Sequence, residues 1–328
     1  SVKKNKSFQR IAAIFDFFRT DGLTQIPVQM DGACNGSQHW AAIIGDEVIA
    51  LLTNVLPSEK PQDLYGYIAN KTTEFCRKKI EDVAWYSDFL EYWHDGIDRS
   101  VTKRPTMCDA YGLTFYGIQK YIKVEGHVDW IPKDKQGGAI VELARAIQAG
   151  LGEALSLPNE GKNWLRECAA ICADANKHIE YTTPSGFKVV HAYYQIKKRR
   201  SLASLFNHKE LIFWNVSKDV HKDKAVLGIP PNFIHSLDAA HMFCTISRMI
   251  DAGFTDFSMI HDSYGCAAPM VDLMNQYIRD EFYKMHKENQ LEVFRRCVTA
   301  TAKVALPDVP ERRDINLASV LDSRYFFS

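Results

Sequence analysis

Two aspartates near opposite ends of the chain constrain its fold more than any other feature. Asp31 closes residues 25–30, in which Ile26, Val28 and Met30 alternate to one face, and Gly32 follows it. Asp262 sits in His261-Asp262-Ser263, between strand-like stretches at 256–260 and 264–268. Alternation with a period of two predicts strands, and the polar triplet between two of them predicts a hairpin with Asp262 at its tip. Strand ends and hairpin tips aim side chains into clefts. Two carboxylates converging from adjacent strands, with few other acids beside them, suit a pair of Mg²⁺ ions and a transferring phosphoryl group. Taken singly, each aspartate is better explained as a plain turn residue.

A third segment shifts that balance. In DRSVTKRPTMCDAYG, Arg99, Lys103, Met107 and Tyr111 recur every fourth residue. At 3.6 residues per turn each step drifts by about 40°, which keeps all four in one stripe of a helix. Cations at one end and a tyrosine followed by Gly112 at the other suit a polyphosphate and a nucleoside better than a hydrophobic core. Pro105 interrupts this helix. It removes the hydrogen bond to the Val101 carbonyl, which predicts a kink between Lys103 and Tyr111.

The rest of the chain reads as α+β with irregular alternation, one compact unit with subdomains. Helices are predicted at 37–52, with Ser37 as N-cap and Trp40, Ile44, Val48 and Leu51 on one side, at 61–79 and at 140–155. Pro230-Pro231 predicts a stop, followed by a helix over 233–251 that Gly253 closes.

Of the 328 residues 46% are hydrophobic, ample for a large core, and the formal net charge is zero. That balance argues against a protein that coats nucleic acid indiscriminately but allows a local groove. Residues 188–224 hold nine Lys or Arg against three Asp or Glu, including Lys197, Lys198, Arg199 and Arg200, with Tyr193, Tyr194 and Trp214 interleaved. Such a stretch suits phosphates and bases; a solvated charged loop is the plainer alternative. The eight cysteines form no CxxC pair and predict reduced, mostly buried thiols; Cys168 and Cys172, one helical turn apart, lack the second pair that a zinc site requires. No stretch approaches the roughly 20 apolar residues that cross a bilayer, so no membrane partner is expected.

Together, DGACNGSQH, PSEKPQDLYG, RSVTKR, MCDAYG, GIPPNFIHSLDAAH, IHDSYG and the terminal RYFFS resemble, in order and wording, the single-subunit phage-type DNA-dependent RNA polymerases and their mitochondrial relatives. The resemblance covers nearly the whole chain from about Gln25. It implies a right-hand polymerase fold, with a palm from residues 1–58 and 236–328 and fingers from 59–235 inserted between them. It also implies that the thumb and promoter-binding N-terminal domain are absent, so that the chain is the C-terminal part of a longer or split enzyme. The implied cofactor is a pair of Mg²⁺ ions on Asp31, Asp262 and the Gly32 carbonyl. Arg99 and Lys103 would hold the NTP phosphates, with Lys103 also serving the pyrophosphate leaving group. Tyr111 and His235 would meet the ribose, His261 would flank the metal-binding aspartate, and Tyr65 would line the same pocket. Promoter and template DNA, an RNA transcript and NTPs are the implied partners, and the hairpin near 193–224 is where the phage enzymes read promoter DNA. A phage-infected host cytoplasm is the source preferred on this resemblance, ahead of a mitochondrion.

Sugar choice separates this reading from a related DNA polymerase. Those enzymes carry a glutamate five residues after the first aspartate, where its bulk crowds a 2'-OH; here Gly36 stands there. Tyr111 and His235 supply groups that a deoxynucleotide would leave unpaired. A DNA polymerase, or a catalytically silent DNA-binding fragment carried by residues 188–224, remains the alternative.

Overall fold

The computed structural model describes residues 11–12, 15, 18–19, 26–81, 89–203 and 209–328. Its architecture is α-rich α+β. A small antiparallel sheet sits at the centre, in the order β1, β7, β6, and joins β1 (Val28–Asp31) to β6 (Ser258–Ile260) and β7 (Ser263–Cys266). The register pairs Met30 with Tyr264 and Asp31 with Ser263, so the two ends of the chain meet in adjacent strands. Gln25, where the first strand was expected to begin, lies outside the described residues. The chain's end completes this sheet, because Gly32 bridges to Phe327 and Ser328 donates its N–H to the Asp31 carbonyl at 3.1 Å. Phe326 and Phe327 are thereby buried against Phe282, Tyr264 and His241.

Helix α1 (Asn35–Ile44) runs back through the molecule, and every one of its residues is buried. Ala41 and Ala42 face one core cluster and Trp40, Ile43 and Ile44 the other. A helix buried all round, its polar Asn35, Ser37, Gln38 and His39 included, has to be central. The expectation of a single helix over 37–52 fails at Gly45. There the backbone turns left-handed at φ 75°, Arg313 donates its N–H to the Ile44 carbonyl, and a Cβ would lie 2.0 Å from the Arg313 carbonyl oxygen. The chain restarts as α2 (Glu47–Leu52), capped by the Asp46 side chain on the Ile49 N–H, which leaves Val48 and Leu51 exposed rather than beside Trp40. The N-cap of α1 is Cys34 in a left-handed conformation, not Ser37.

Helices α3 (Leu64–Glu81), α4 (Arg99–Asp109), α5 (Phe115–Val124), α6 (Lys133–Ala154) and α7 (Ser156–Asp174) follow. Two antiparallel pairs come next, β2 (Ile179–Thr182) with β3 (Lys188–His191) and β4 (Tyr194–Ala203) with β5 (Lys209–Val220). Helix α8 (Lys222–Asp251) then packs on α7, and α9 (Val271–Lys287) and α10 (Gln290–Ala302) close the fold. The predicted stop at Pro230-Pro231 is not observed, since α8 runs through both prolines. Each proline in a helix interior costs about 3 kcal/mol. Burial of Ala225, Ile229, Pro230, Phe233 and Ile234 around the two prolines outweighs that cost.

Candidate active site

The hairpin tip is built by His261, whose φ of 55° lets the chain reverse between β6 and β7 in two residues. His261 is exposed and Asp262 half-buried. Gln29 clamps the sheet by donating to the Ser258 hydroxyl at 2.7 Å and accepting from the Ser263 hydroxyl at 3.0 Å. The Gly32 N–H donates to the Asp262 carbonyl at 3.3 Å, which ties the two acidic turns directly together. Burial, and then the charge of Asp31, push the Asp262 carboxyl above the usual range. The two aspartates are therefore electrostatic neighbours.

A third carboxylate joins them that sequence reading did not single out. Asp238, on α8, accepts a short hydrogen bond from the Asn35 side-chain amide. Burial and then the charge of Asp262 raise its carboxyl to about 6. The Asn35 side-chain oxygen is buried without a partner. Asp238 lies one turn after His235 on the same helix, and that i, i+3 spacing was the one available sequence signal.

Tyr111 and His235 meet as stacked rings, 4.3 Å between centroids and 5° between planes. Tyr111 stands two residues beyond the end of α4 and so leaves the helical stripe; its N–H donates to the Cys108 carbonyl at 3.1 Å. Burial raises its hydroxyl, and burial lowers the His235 imidazole. Gly36 sits against Ala110 and Tyr111, where an added Cβ would lie 2.6 Å from the Ala110 Cβ and 3.1 Å from the Tyr111 hydroxyl. The Trp40 indole N–H donates to the Ala110 carbonyl at 3.3 Å and seats the turn from behind.

Helix α4 continues through Pro105, which is buried, while Thr106 donates its hydroxyl to the Thr102 carbonyl at 2.7 Å. Arg99 is engaged by Asp63, a partner sequence reading missed, and lies 4.9 Å over the Tyr65 ring. Thr102 donates to the Tyr65 carbonyl at 2.9 Å, so Tyr65 is fixed between α3 and α4. Lys103 is exposed one turn along the same face.

The basic hairpin forms as β4 and β5, away from the paired aspartates in sequence. Ile196, Phe213, Trp214 and Val216 are exposed on it, and Lys198 stands over Trp214 at 5.8 Å. The side chains of Arg199 and Arg200 lie outside the described residues. Cys168 and Cys172 are buried in the core, which pushes their thiols up to about 12 and about 11. Among the described residues no group of three or more His, Cys, Asp or Glu could hold a metal by itself, and no helix is long and apolar enough to cross a membrane.

A sequence profile of the DNA-dependent RNA polymerase family matches residues 2–304. DNA-directed RNA polymerase 2A of Nicotiana tabacum is 32% identical over 93% of this chain and 93% of its own length. DNA-directed RNA polymerase 2B, chloroplastic/mitochondrial, of the same plant is 33% identical over 93% of this chain. DNA-directed RNA polymerase 2, chloroplastic/mitochondrial, of Arabidopsis thaliana is 32% identical over the same share. The chain spans only 30% of the length of these last two. These relatives are plant proteins, two of them named for organelles, and they lend no support to a phage-infected cell as the source.

Proposed function

We propose, from the premise that this chain belongs to the DNA-dependent RNA polymerase family, that it carries the catalytic core of template-directed RNA synthesis. The observation that carries the reading is the pairing of β1 with β7, which brings Asp31 and Asp262 together from the two ends of the chain. In this reading residues 1–58 and 236–328 form a palm and 59–235 the fingers.

The donor set fits Mg²⁺. Two carboxylates and the Gly32 carbonyl are hard oxygen ligands, and a cation would offset the burial and, after it, the Asp31 charge that raise Asp262. Among the described residues no group of three such side chains could hold a metal, and Asp238 is engaged by Asn35, so water and phosphate oxygens would complete the shell. Bound there, a pair of Mg²⁺ ions would supply Lewis-acid stabilisation of charge on the attacking and leaving oxygens.

The chemistry is attack of an RNA 3'-oxygen on the α-phosphorus of an NTP. One phosphorus–oxygen bond forms, the bond to pyrophosphate breaks, and the 3'-hydroxyl proton is lost. Arg99 and Lys103 on one face of α4 bind the triphosphate, and Lys103 donates toward the departing pyrophosphate. Tyr111 and His235 present their polar edges to the ribose, so a deoxynucleotide leaves them unpaired. Tyr65 backs the Arg99 guanidinium, and His261 flanks the acidic pair. Gly36 argues against the DNA polymerase alternative: with 2.6 Å to Ala110, no room exists for a blocking glutamate. The β4–β5 hairpin, with exposed Lys197, Lys198 and Trp214, is the surface proposed for DNA.

Extension of an RNA primer on a DNA template tests this, with NTPs or dNTPs and with Asp31→Ala and Asp262→Ala variants. Mg²⁺-dependent extension that prefers NTPs and is lost in both variants is expected. DNA binding without Mg²⁺-dependent NTP binding would leave only a silent DNA-binding fragment.

A further inference from the structure

Lys162, on α7, is almost wholly buried, with 3% of its side chain exposed, and its ammonium lies 2.6 Å from the Asp109 carboxylate. The same ammonium donates to the Asp109 backbone carbonyl at 3.3 Å. Each residue is a poor choice on its own. A buried lysine is costly unless paired, and an aspartate as the last residue of a helix opposes the helix dipole. They make sense together, because the lysine adds a second donor to the Asp109 carbonyl at the end of α4 while the carboxylate neutralises the lysine. A buried ion pair contributes little net stability compared with apolar residues of the same size; what it adds is a fixed geometry. Here the fixed point is two residues before Tyr111. Directly after it come the Gly112 N–H donating to the Asp109 carbonyl at 3.0 Å and the Leu113 N–H donating to Cys108 at 3.2 Å. On the other side the Trp40 indole holds Ala110.

We infer that Lys162 is a positioning residue: through its ion pair with Asp109 it locks the turn after α4 and so sets where Tyr111 meets His235 and the incoming ribose. This rests on the nucleotide reading of Tyr111 given above, but the locking itself concerns the protein alone. A cavity of about 270 Å³ opens beside the pair, lined among others by Gly112, Asn159 and Arg166. It gives a longer cation at 162 space to reach the same carboxylate.

The test compares the full chain with Lys162→Met, Lys162→Arg and the double variant Asp109→Leu/Lys162→Met. Three readouts are taken: NTP-against-dNTP extension, melting temperature, and hydrogen–deuterium exchange of the peptide covering 108–113. Lys162→Met is expected to raise the NTP KM more than it lowers kcat, to cut sugar selectivity about 10- to 100-fold, and to speed exchange at 108–113. Lys162→Arg should retain most of the selectivity. In the double variant, where no charge is stranded, melting temperature should recover while selectivity and exchange protection do not. Recovery of all three in the double variant would overturn the inference, because the pair would then be filling space only. If the wild-type chain does not extend a primer at all, the polymerase reading falls. Exchange at 108–113 then decides the locking, with faster exchange in Lys162→Met supporting it and unchanged exchange refuting it.

Discussion

Gly36→Ala sets a small stability effect against a large functional one. Gly36 is not in the left-handed region, so glycine stands there for space rather than for backbone freedom. The new methyl would lie 2.6 Å from the Ala110 Cβ and 3.1 Å from the Tyr111 ring and hydroxyl. Carbon atoms rest at about 3.5–4.0 Å, so one side has to retreat by about 1 Å. Ala110 is buried, its carbonyl is held by Trp40 and it is joined directly to Tyr111, so relieving the clash shifts Ala110 and Tyr111 together. Overpacking of this kind costs about 1–3 kcal/mol, and replacing a helical glycine by alanine returns up to about 1 kcal/mol. The net loss of stability is therefore about 0–3 kcal/mol, and the variant is expected to fold. A reacting group displaced by about 1 Å can lose about 100-fold in rate. Urea unfolding alongside single-nucleotide extension with NTPs and dNTPs measures both. A variant with the expected small stability change but with kcat/KM for NTPs and sugar selectivity both within about twofold of wild type would refute the steric argument.

Three further outcomes are expected. Asp238→Asn keeps an acceptor for Asn35 but removes a carboxylate whose folded value, about 6, lies above its unfolded one. The wild-type charge destabilises the fold above that range, so in metal-free buffer the variant should gain about 1–3 kcal/mol at neutral pH and nothing in acid; a gain that does not fade on acidification counts against the assignment. In that same background acid should destabilise the protein. His39, His241 and His286 form a buried cluster, burial being the first cause that lowers each, and His241 is held at about 4. Below the unfolded value of about 6.5 the unfolded chain binds protons that the fold refuses, so stability is lost as pH falls from there toward about 4. His241 alone accounts for about 3 kcal/mol, and a urea midpoint that stays flat over that window would show the cluster to be protonated in the fold. Replacing Lys197 and Lys198 by alanine should weaken DNA binding and reduce the salt slope of log K by up to about 2, whereas an unchanged slope would remove the β4–β5 hairpin from the DNA surface.

The strands that flank Asp31 and Asp262 were legible in the sequence because alternation and turn residues are local signals, and pairing them needed only the idea that two acidic strand ends share a cleft. The breaks were not legible. Gly45 ends a helix because Arg313, far along the chain, occupies the space a Cβ would need, and Pro230-Pro231 fail to end one because tertiary burial exceeds their local cost. The same reasoning explains which site residues escaped notice. Asp63, Asp238 and Lys162 carry at most a weak local signature, a helix start for Asp63 and a one-turn spacing from His235 for Asp238; each acquires its meaning from a partner brought close by the fold, Arg99, Asn35 and Asp109 respectively. Residues expected to touch substrate stood out because their chemistry is unusual for their local pattern, a cation on a helix stripe or an acid at a strand end. Residues that hold those in place look ordinary until the contact exists. A charged side chain buried to 3% beside the end of a helix is therefore the kind of position where mutation should reveal function that the sequence conceals.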